Sequence, residues 1–276
     1  MRKALLLSAI FALLLWWRSA PASDGIPFGV ISQRSVTLTA QYWNPILGYV
    51  SRKTGLELKL KVARTGDETS KMIERGDVAF IYSNHFMPQN EAAGYRIFAR
   101  KDDASISGQI VVRADSRYKT LADLAGKEIV FPSRVAFVGY IVPMDELQRR
   151  GIHVLPRFAG NQEGAMGQLQ AGSAEAIAVN SSVMAAFAAR EGVRYRVLWE
   201  SKPYLSIPIA ARPDVPASQL NAVRDALLGM DNDPEGRRIL AAGAELLKQK
   251  TPARFKAAAD ADYEDQKALY RKHYRN

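Results

Sequence analysis

Two short clusters of small polar side chains, each following an apolar run, carry the hydrogen-bonding chemistry that stands out in this 276-residue sequence. Val78 to Tyr82 runs out into Ser83, Asn84 and His85, and a second apolar stretch ends in Asn180, Ser181 and Ser182. Tyr82 offers a hydroxyl and an aromatic face, asparagine amides and serine hydroxyls both donate and accept, and His85 pairs with an anion when protonated. Such groups capture a small molecule reversibly. A lone His is more often a satisfied or surface residue, so Tyr82 and Ser83 rank ahead of His85. Covalent chemistry is poorly supplied. There is no Cys, and a base or metal site would have to be built from His85, His153 and His273 alone. His153 sits between Ile152 and Val154 as in a strand, and His273 lies in a polar tail. No nucleophile elbow, paired metal-binding histidines or Gly-rich phosphate loop occurs, and no pair of acids stands out as general acid and base. An enzyme is not expected, nor is a cofactor or a bound metal.

The elements that would position these clusters share one local device. Met72-Ile-Glu-Arg-Gly-Asp-Val-Ala-Phe80 and Leu169-Gln-Ala-Gly-Ser-Ala-Glu-Ala-Ile177 each read as a helix end, a Gly stop, an acid and a short apolar strand. If both strands are parallel members of their sheets, both clusters lie at strand C-termini, where open α/β sheets place their ligand sites. Facing each other, they would line a cleft. Around them, Ile26 to Ile31 reads as a strand and Thr39 to Thr54 as a helix stopped at Gly55. Leu56 to Val62 is again strand-like, and Thr69 to Arg75 is a helix ending at Gly76. Further along come a short helix over Leu121 to Ala125, a strand over Glu128 to Phe131, a helix over Phe137 to Arg150 closed by Gly151, and a strand over His153 to Phe158. This alternation predicts an α/β fold with largely parallel sheets.

At the N-terminus, Arg2 and Lys3 precede an apolar run from Ala4 to Trp17, too short to span a bilayer, and Ala20-Pro21-Ala22 has the small-residue pattern of a cleavage site. The expectation is an exported protein with a signal peptide over residues 1–22, cleaved after Ala22; the alternative is an uncleaved anchor flanked by Trp16, Trp17 and Arg18. Without Cys, neither a lipid anchor nor a disulfide is available. Signal removal takes Arg2, Lys3 and Arg18 from a formal net charge of +10 and leaves a basic chain. Its cations are interspersed with acids, as from Arg64 to Glu74, so a nucleic-acid partner is not expected.

Several stretches, in order, resemble the phosphate, phosphite and phosphonate binding components of ABC importers. They include Gly29-Val-Ile-Ser-Gln33, Gly76-Asp-Val-Ala-Phe80, Ile110-Val-Val-Arg-Ala-Asp-Ser116, Leu121-Ala-Asp-Leu-Ala-Gly-Lys127, Trp199-Glu-Ser201 and Asp233-Pro-Glu-Gly-Arg237. The resemblance covers nearly the whole mature chain and rests on order and spacing. It implies a type II periplasmic binding protein: two α/β lobes joined by two crossing strands and closing as a hinge. The crossings are expected near Gly108 to Arg113 and Ser206 to Arg212, giving lobe I as residues 23–108 plus 206–276 and lobe II as 109–205. A monomer that captures a small anionic ligand in the periplasm and passes it to a membrane permease is the function implied. A ligand-sensing partner of a membrane histidine kinase or chemoreceptor is the alternative, and an exported hydrolase a further one.

Within the family the anion is held where a helix opens after a strand, by small hydroxyl residues and free backbone N–H groups. The corresponding segment is Pro132-Ser-Arg-Val-Ala-Phe-Val-Gly-Tyr140. Ser133 keeps a hydroxyl, whereas Val135, Ala136 and Phe137 stand where more hydroxyls are usual. Arg134 either supplies a charged donor fork or points to solvent. Gln162 stands near the position of a family His and is either an uncharged ligand contact or a polar residue opening a helix. Arg34, after the first strand, is a further possible contact. Tyr42 and Trp43 share helical spacing with Ile46 and Leu47 and read as core. The expected ligand contacts are thus Tyr82, Ser83, Asn84, Ser133, Arg134, Gln162, Asn180 and Ser181.

Overall fold

The computed structural model describes residues 25–102 and 105–275; the leader over residues 1–22 and its cleavage lie outside the described residues. Strand β1 (Ile26–Val30) leads through a polar turn into helix α1 (Val36–Thr54). Ser35 caps that helix, its Oγ accepting from the Leu38 N–H at 3.2 Å, which satisfies one of the donors a helix start leaves open. Thr39, Tyr42, Trp43, Ile46, Leu47 and Val50 recur at three and four residues and are buried along one face. Gly55 ends the helix at φ 71°, its N–H bonded to the Ser51 carbonyl at 2.9 Å.

The chain continues through β2 (Leu58–Val62), α2 (Gly66–Glu74), β3 (Phe80–Tyr82), α3 (Pro88–Glu91) and β4 (Arg96–Lys101). Then come β5 (Gly108–Arg113), β6 (Glu128–Phe131), α4 (Val142–Arg149), β7 (Leu155–Phe158), α5 (Gln162–Gln170), β8 (Ala176–Asn180), α6 (Ser181–Glu191) and β9 (Tyr195–Glu200). The last elements are β10 (Pro208–Ala211), α7 (Ala217–Leu228), α8 (Pro234–Leu246), β11 (Phe255–Ala257) and α9 (Glu264–Arg275). A π turn over Phe137–Ile141 runs directly into α4. Pro143 cannot donate an N–H to the turn before it, and the wider turn falls on that stretch.

Two sheets result, six-stranded in the order β11-β4-β10-β3-β1-β2 and five-stranded in the order β7-β6-β8-β5-β9. They are mixed rather than largely parallel. β2, β1 and β3 run parallel, as do β7, β6 and β8, whereas β10 and β5 are antiparallel to the strands beside them. β5 and β10 have just come from the other sheet and so lack the helical crossover that turns a strand back parallel. Both segments expected as crossings therefore contain strands embedded in one sheet. The chain passes between sheets just before each, where Ile106 and Tyr204 form an isolated antiparallel bridge.

Phe28, Phe80, Ile46, Leu47 and Ile209 are almost completely buried in the core beside the first sheet; Val130, Met166 and Ile177 fill a smaller one under the second. The C-terminal helix α9 contacts both sides. Tyr270, fully buried, packs edge-on to Phe86 and stacks on Phe137 at 5.4 Å, and its hydroxyl donates to the Val135 carbonyl at 2.7 Å. The Tyr274 hydroxyl donates to the Arg134 carbonyl at 2.6 Å, and Lys272 pairs with Asp145 at 2.5 Å. Burial of one such aromatic side chain stabilises by about 1.5–3 kcal/mol.

Candidate functional site

Loops leaving the C-terminal ends of β1, β3 and β6, and the end of β8 itself, meet between the two sheets. There they enclose two adjoining cavities of about 30 Å³ and 20 Å³ that share Ile31, Gln33, Ile106, Asn180 and Ile207 as walls. The smaller cavity lies against the start of the helical run that begins at Phe137, and Ala136, Phe137 and Val138 line it. Backbone N–H groups of a first helical turn have no partner inside the helix, and the helix dipole makes that end positive.

Ser133 and Gln162 also face this cavity and are 3 % and 6 % exposed. The Gln162 side chain is oriented by the Asn180 N–H, which donates to its Oε1 at 3.1 Å. Gln162 Nε2 and the Ser133 hydroxyl have no hydrogen-bond partner among the described residues. Gly139 makes room for the arrangement, since a Cβ there would come within 2.8 Å of Gln162 Nε2 and 2.9 Å of Pro132. Asn84 lines the same cavity, and its buried Oδ1 has no hydrogen-bond partner among the described residues.

Arg34, Tyr42, Trp43, Tyr82, Lys101 and Ser206 line the larger cavity. Trp43 and Tyr82 pack with ring centroids 4.8 Å apart, and the Lys101 ammonium lies 5.2 Å over the Tyr42 ring. The Tyr42 hydroxyl is buried without a hydrogen-bond partner among the described residues. Burial pulls the Arg34 guanidinium below its usual pKa, opposed by Tyr82, Tyr42 and Glu163. The residue as a whole is half-buried. Glu163 is itself engaged, by Arg190 at 2.6 Å and by the Ser35 N–H at 2.8 Å.

Asn180 sits where the two cavities meet. Its Oδ1 caps α6, accepting from the Ser182 N–H at 2.9 Å and the Ser182 hydroxyl at 2.8 Å. Across the mouth of the cleft, backbone groups of the two sides bond directly: the Gly66 N–H to the Gly160 carbonyl at 3.0 Å and the Glu163 N–H to the Gln33 carbonyl at 3.1 Å. A Cβ on Gly66 would meet the Ser133 hydroxyl and Val135, so a side chain here forces its neighbours across the cleft to shift.

Of the residues anticipated from sequence, Tyr82, Asn84, Ser133, Gln162 and Asn180 line the cavities. Ser83, Arg134 and Ser181 do not. Ser83 is buried behind the wall, its carbonyl facing His85 Nδ1 at 3.4 Å. Arg134 is exposed, with its guanidinium 4.6 Å over the Phe158 ring. The Ser181 hydroxyl accepts from the Ser107 N–H at 3.1 Å, joining α6 to the chain that enters β5, and it is Ser182 that reaches the cavity. His85 is buried and held below its usual pKa by desolvation, which keeps it neutral. Lys101, Tyr42 and Trp43 were not anticipated as cavity walls. The signal for Lys101 was a cation ending an otherwise buried strand, Ile97-Phe-Ala-Arg-Lys101.

A family model described as ABC transporter, phosphonate, periplasmic substrate-binding protein matches residues 28–263. No curated protein sequence matches the chain. Among solved structures, a binding protein component of an ABC phosphonate transporter from Pseudomonas aeruginosa is 18% identical and covers 91% of this chain and 86% of its own, with a TM-score of 0.78. A protein from Prochlorococcus marinus in complex with methylphosphonate is 15% identical over 91% of this chain and 98% of its own, with a TM-score of 0.77. The periplasmic aliphatic sulphonate binding protein of Escherichia coli is 17% identical over 91% and 87%, with a TM-score of 0.57.

Proposed function

The chain belongs to the periplasmic substrate-binding proteins of phosphonate ABC transporters, carriers rather than enzymes, and from that premise we propose that it captures a small oxyanion in the cleft between its two sheets. As in the family at large, its place of work is the periplasm and its partner is a membrane permease.

The observation that carries the proposal is the convergence of unpartnered donors at one point. The Ser133 hydroxyl, Gln162 Nε2 and the free N–H groups of the turn opening at Phe137 border one cavity. Donors without protein acceptors are free to bind a ligand, and an anion with several oxygens answers all of them at the positive end of a helix. The ligand enters between lobe I (residues 23–108 plus 206–276) and lobe II (109–205). It draws them together about the Ile106–Tyr204 bridge, and the rim bonds from Gly66 and Glu163 close behind it. The carrier acts as a monomer released from its leader after Ala22, and its closed form offers the permease a surface spanning both lobes.

Calorimetric titration of the mature protein with methylphosphonate, phosphate and sulfate tests this reading. At least one should bind, and Ser133→Ala should weaken it by about tenfold, the size of one charge-assisted hydrogen bond. Binding that Ser133→Ala and Gln162→Ala both leave unchanged would place the ligand elsewhere.

A further inference from the structure

Next to the oxyanion end lies a second binding element for which a simple oxyanion has no use. The guanidinium of Arg34 lines the larger cavity, and among the described residues it has neither a hydrogen-bond nor an ion-pair partner. Glu163, whose charge acts on it, is taken by Arg190 and by the Ser35 N–H. The Tyr42 hydroxyl borders the same space, 6 % exposed and also unpartnered among the described residues. Lys101, 5 % exposed, adds a second cation to that wall, and no carboxylate of the described residues lines either cavity.

A half-buried, planar guanidinium left unpaired on a cavity wall is an open anion site, and its fork matches a carboxylate or another two-oxygen acid edge. Tyr82 and Trp43 wall the same compartment with aromatic faces, which suit a short carbon skeleton between charged ends. The two compartments share Gln33 and Asn180 as walls, so a ligand bridging them would meet both sets of donors.

We propose that the ligand is a small organic molecule with two acidic groups: an oxyanion held by Ser133, Gln162 and the Phe137 turn, and a second acid held by Arg34 with the Tyr42 hydroxyl. This rests on the cleft being the ligand site. The second group is what distinguishes the cargo from a plain alkylphosphonate, and a terminal amine there would be repelled.

The test compares methylphosphonate, phosphonoacetate, 3-phosphonopropionate and 2-aminoethylphosphonate by titration calorimetry on the mature protein and on its Arg34→Gln and Arg34→Lys variants. At least one carboxylate-bearing phosphonate should bind about 30-fold or more tightly than methylphosphonate, as expected when a close charge pair in a cleft is completed, and 2-aminoethylphosphonate should be weakest. Arg34→Gln should remove that preference, costing the two-acid ligand far more affinity than methylphosphonate, and Arg34→Lys should retain part of it. Equal affinity for one-acid and two-acid ligands, or a preference that survives Arg34→Gln, would overturn the inference and leave the cleft reading standing. If none of the four binds the mature protein, the cleft reading and the inference fall together.

Discussion

Gly66 and Ser133 approach so closely across the cleft that, under the closure proposed above, the space between them limits how far the two sides come together. Gly66 opens α2, a position where alanine suits the helix better than glycine, so Gly66→Ala should leave the ligand-free melting temperature unchanged or slightly raised. Under the closure proposed above, the added methyl meets the Ser133 hydroxyl as the two sides come together. Overpacking of this kind costs about 1–3 kcal/mol, so affinity should fall by roughly five- to 150-fold. Melting and titration of one variant separate the two effects, and a variant with unimpaired affinity would show that closure does not bring these residues together. Sequence pattern disclosed some of this site and hid the rest for a physical reason. Tyr82 and Asn180 were legible because a Gly stop and a short apolar strand announce a strand end. Tyr42 and Trp43 were not, because they continue the apolar stripe of Ile46, Leu47 and Val50. That stripe is core in the middle of α1, but its first turns overhang the cleft and become cavity wall. Periodicity reports which residues share a face and is silent about what the face meets.

At the scale of elements, α9 fixes the segment that carries Ser133. Its Tyr270 and Tyr274 hydroxyls hold the carbonyls of Val135 and Arg134, the two residues after that serine. Tyr270→Phe keeps the stack on Phe137 and leaves the buried Val135 carbonyl without its donor, at a cost of about 1–3 kcal/mol. Tyr270→Ala also empties a fully buried site and should cost about 3–5 kcal/mol. Chemical denaturation reads both, and a Tyr270→Phe protein as stable as the parent would mean that the hydroxyl bond contributes nothing. The polar composition of the tail concealed this role. Glu264, Lys267, Arg271 and Lys272 make the segment look polar, and each pairs with a charge in the structure while the tyrosines between them carry the packing. The same limit applied to the sheets. Strand positions were readable from short apolar runs, but parallel or antiparallel pairing depends on which sheet a strand joins, and no local pattern records that.

For the molecule as a whole, the place of β10 between β3 and β4 has a consequence for how the chain reaches its native state. The five-stranded sheet is drawn from one uninterrupted stretch, Gly108 to Glu200. The six-stranded sheet is complete only when Ile209 has found Tyr82 on one side and Ala99 on the other, after the entire second lobe has been threaded between them. Closing so long a loop costs entropy before any contact rewards it, and such non-local pairing is slow. Pulse-labelled hydrogen exchange during refolding should therefore find Ile110 and Ile177 amides protected before those of Ile81 and Ala210; the reverse order would mean that the first lobe assembles without waiting. Until β10 arrives, β3 and β4 both present open edges to their surroundings, and open edges recruit other chains. A protein whose first sheet waits so long for a central strand depends, during export, on whatever keeps its unfinished part from its neighbours.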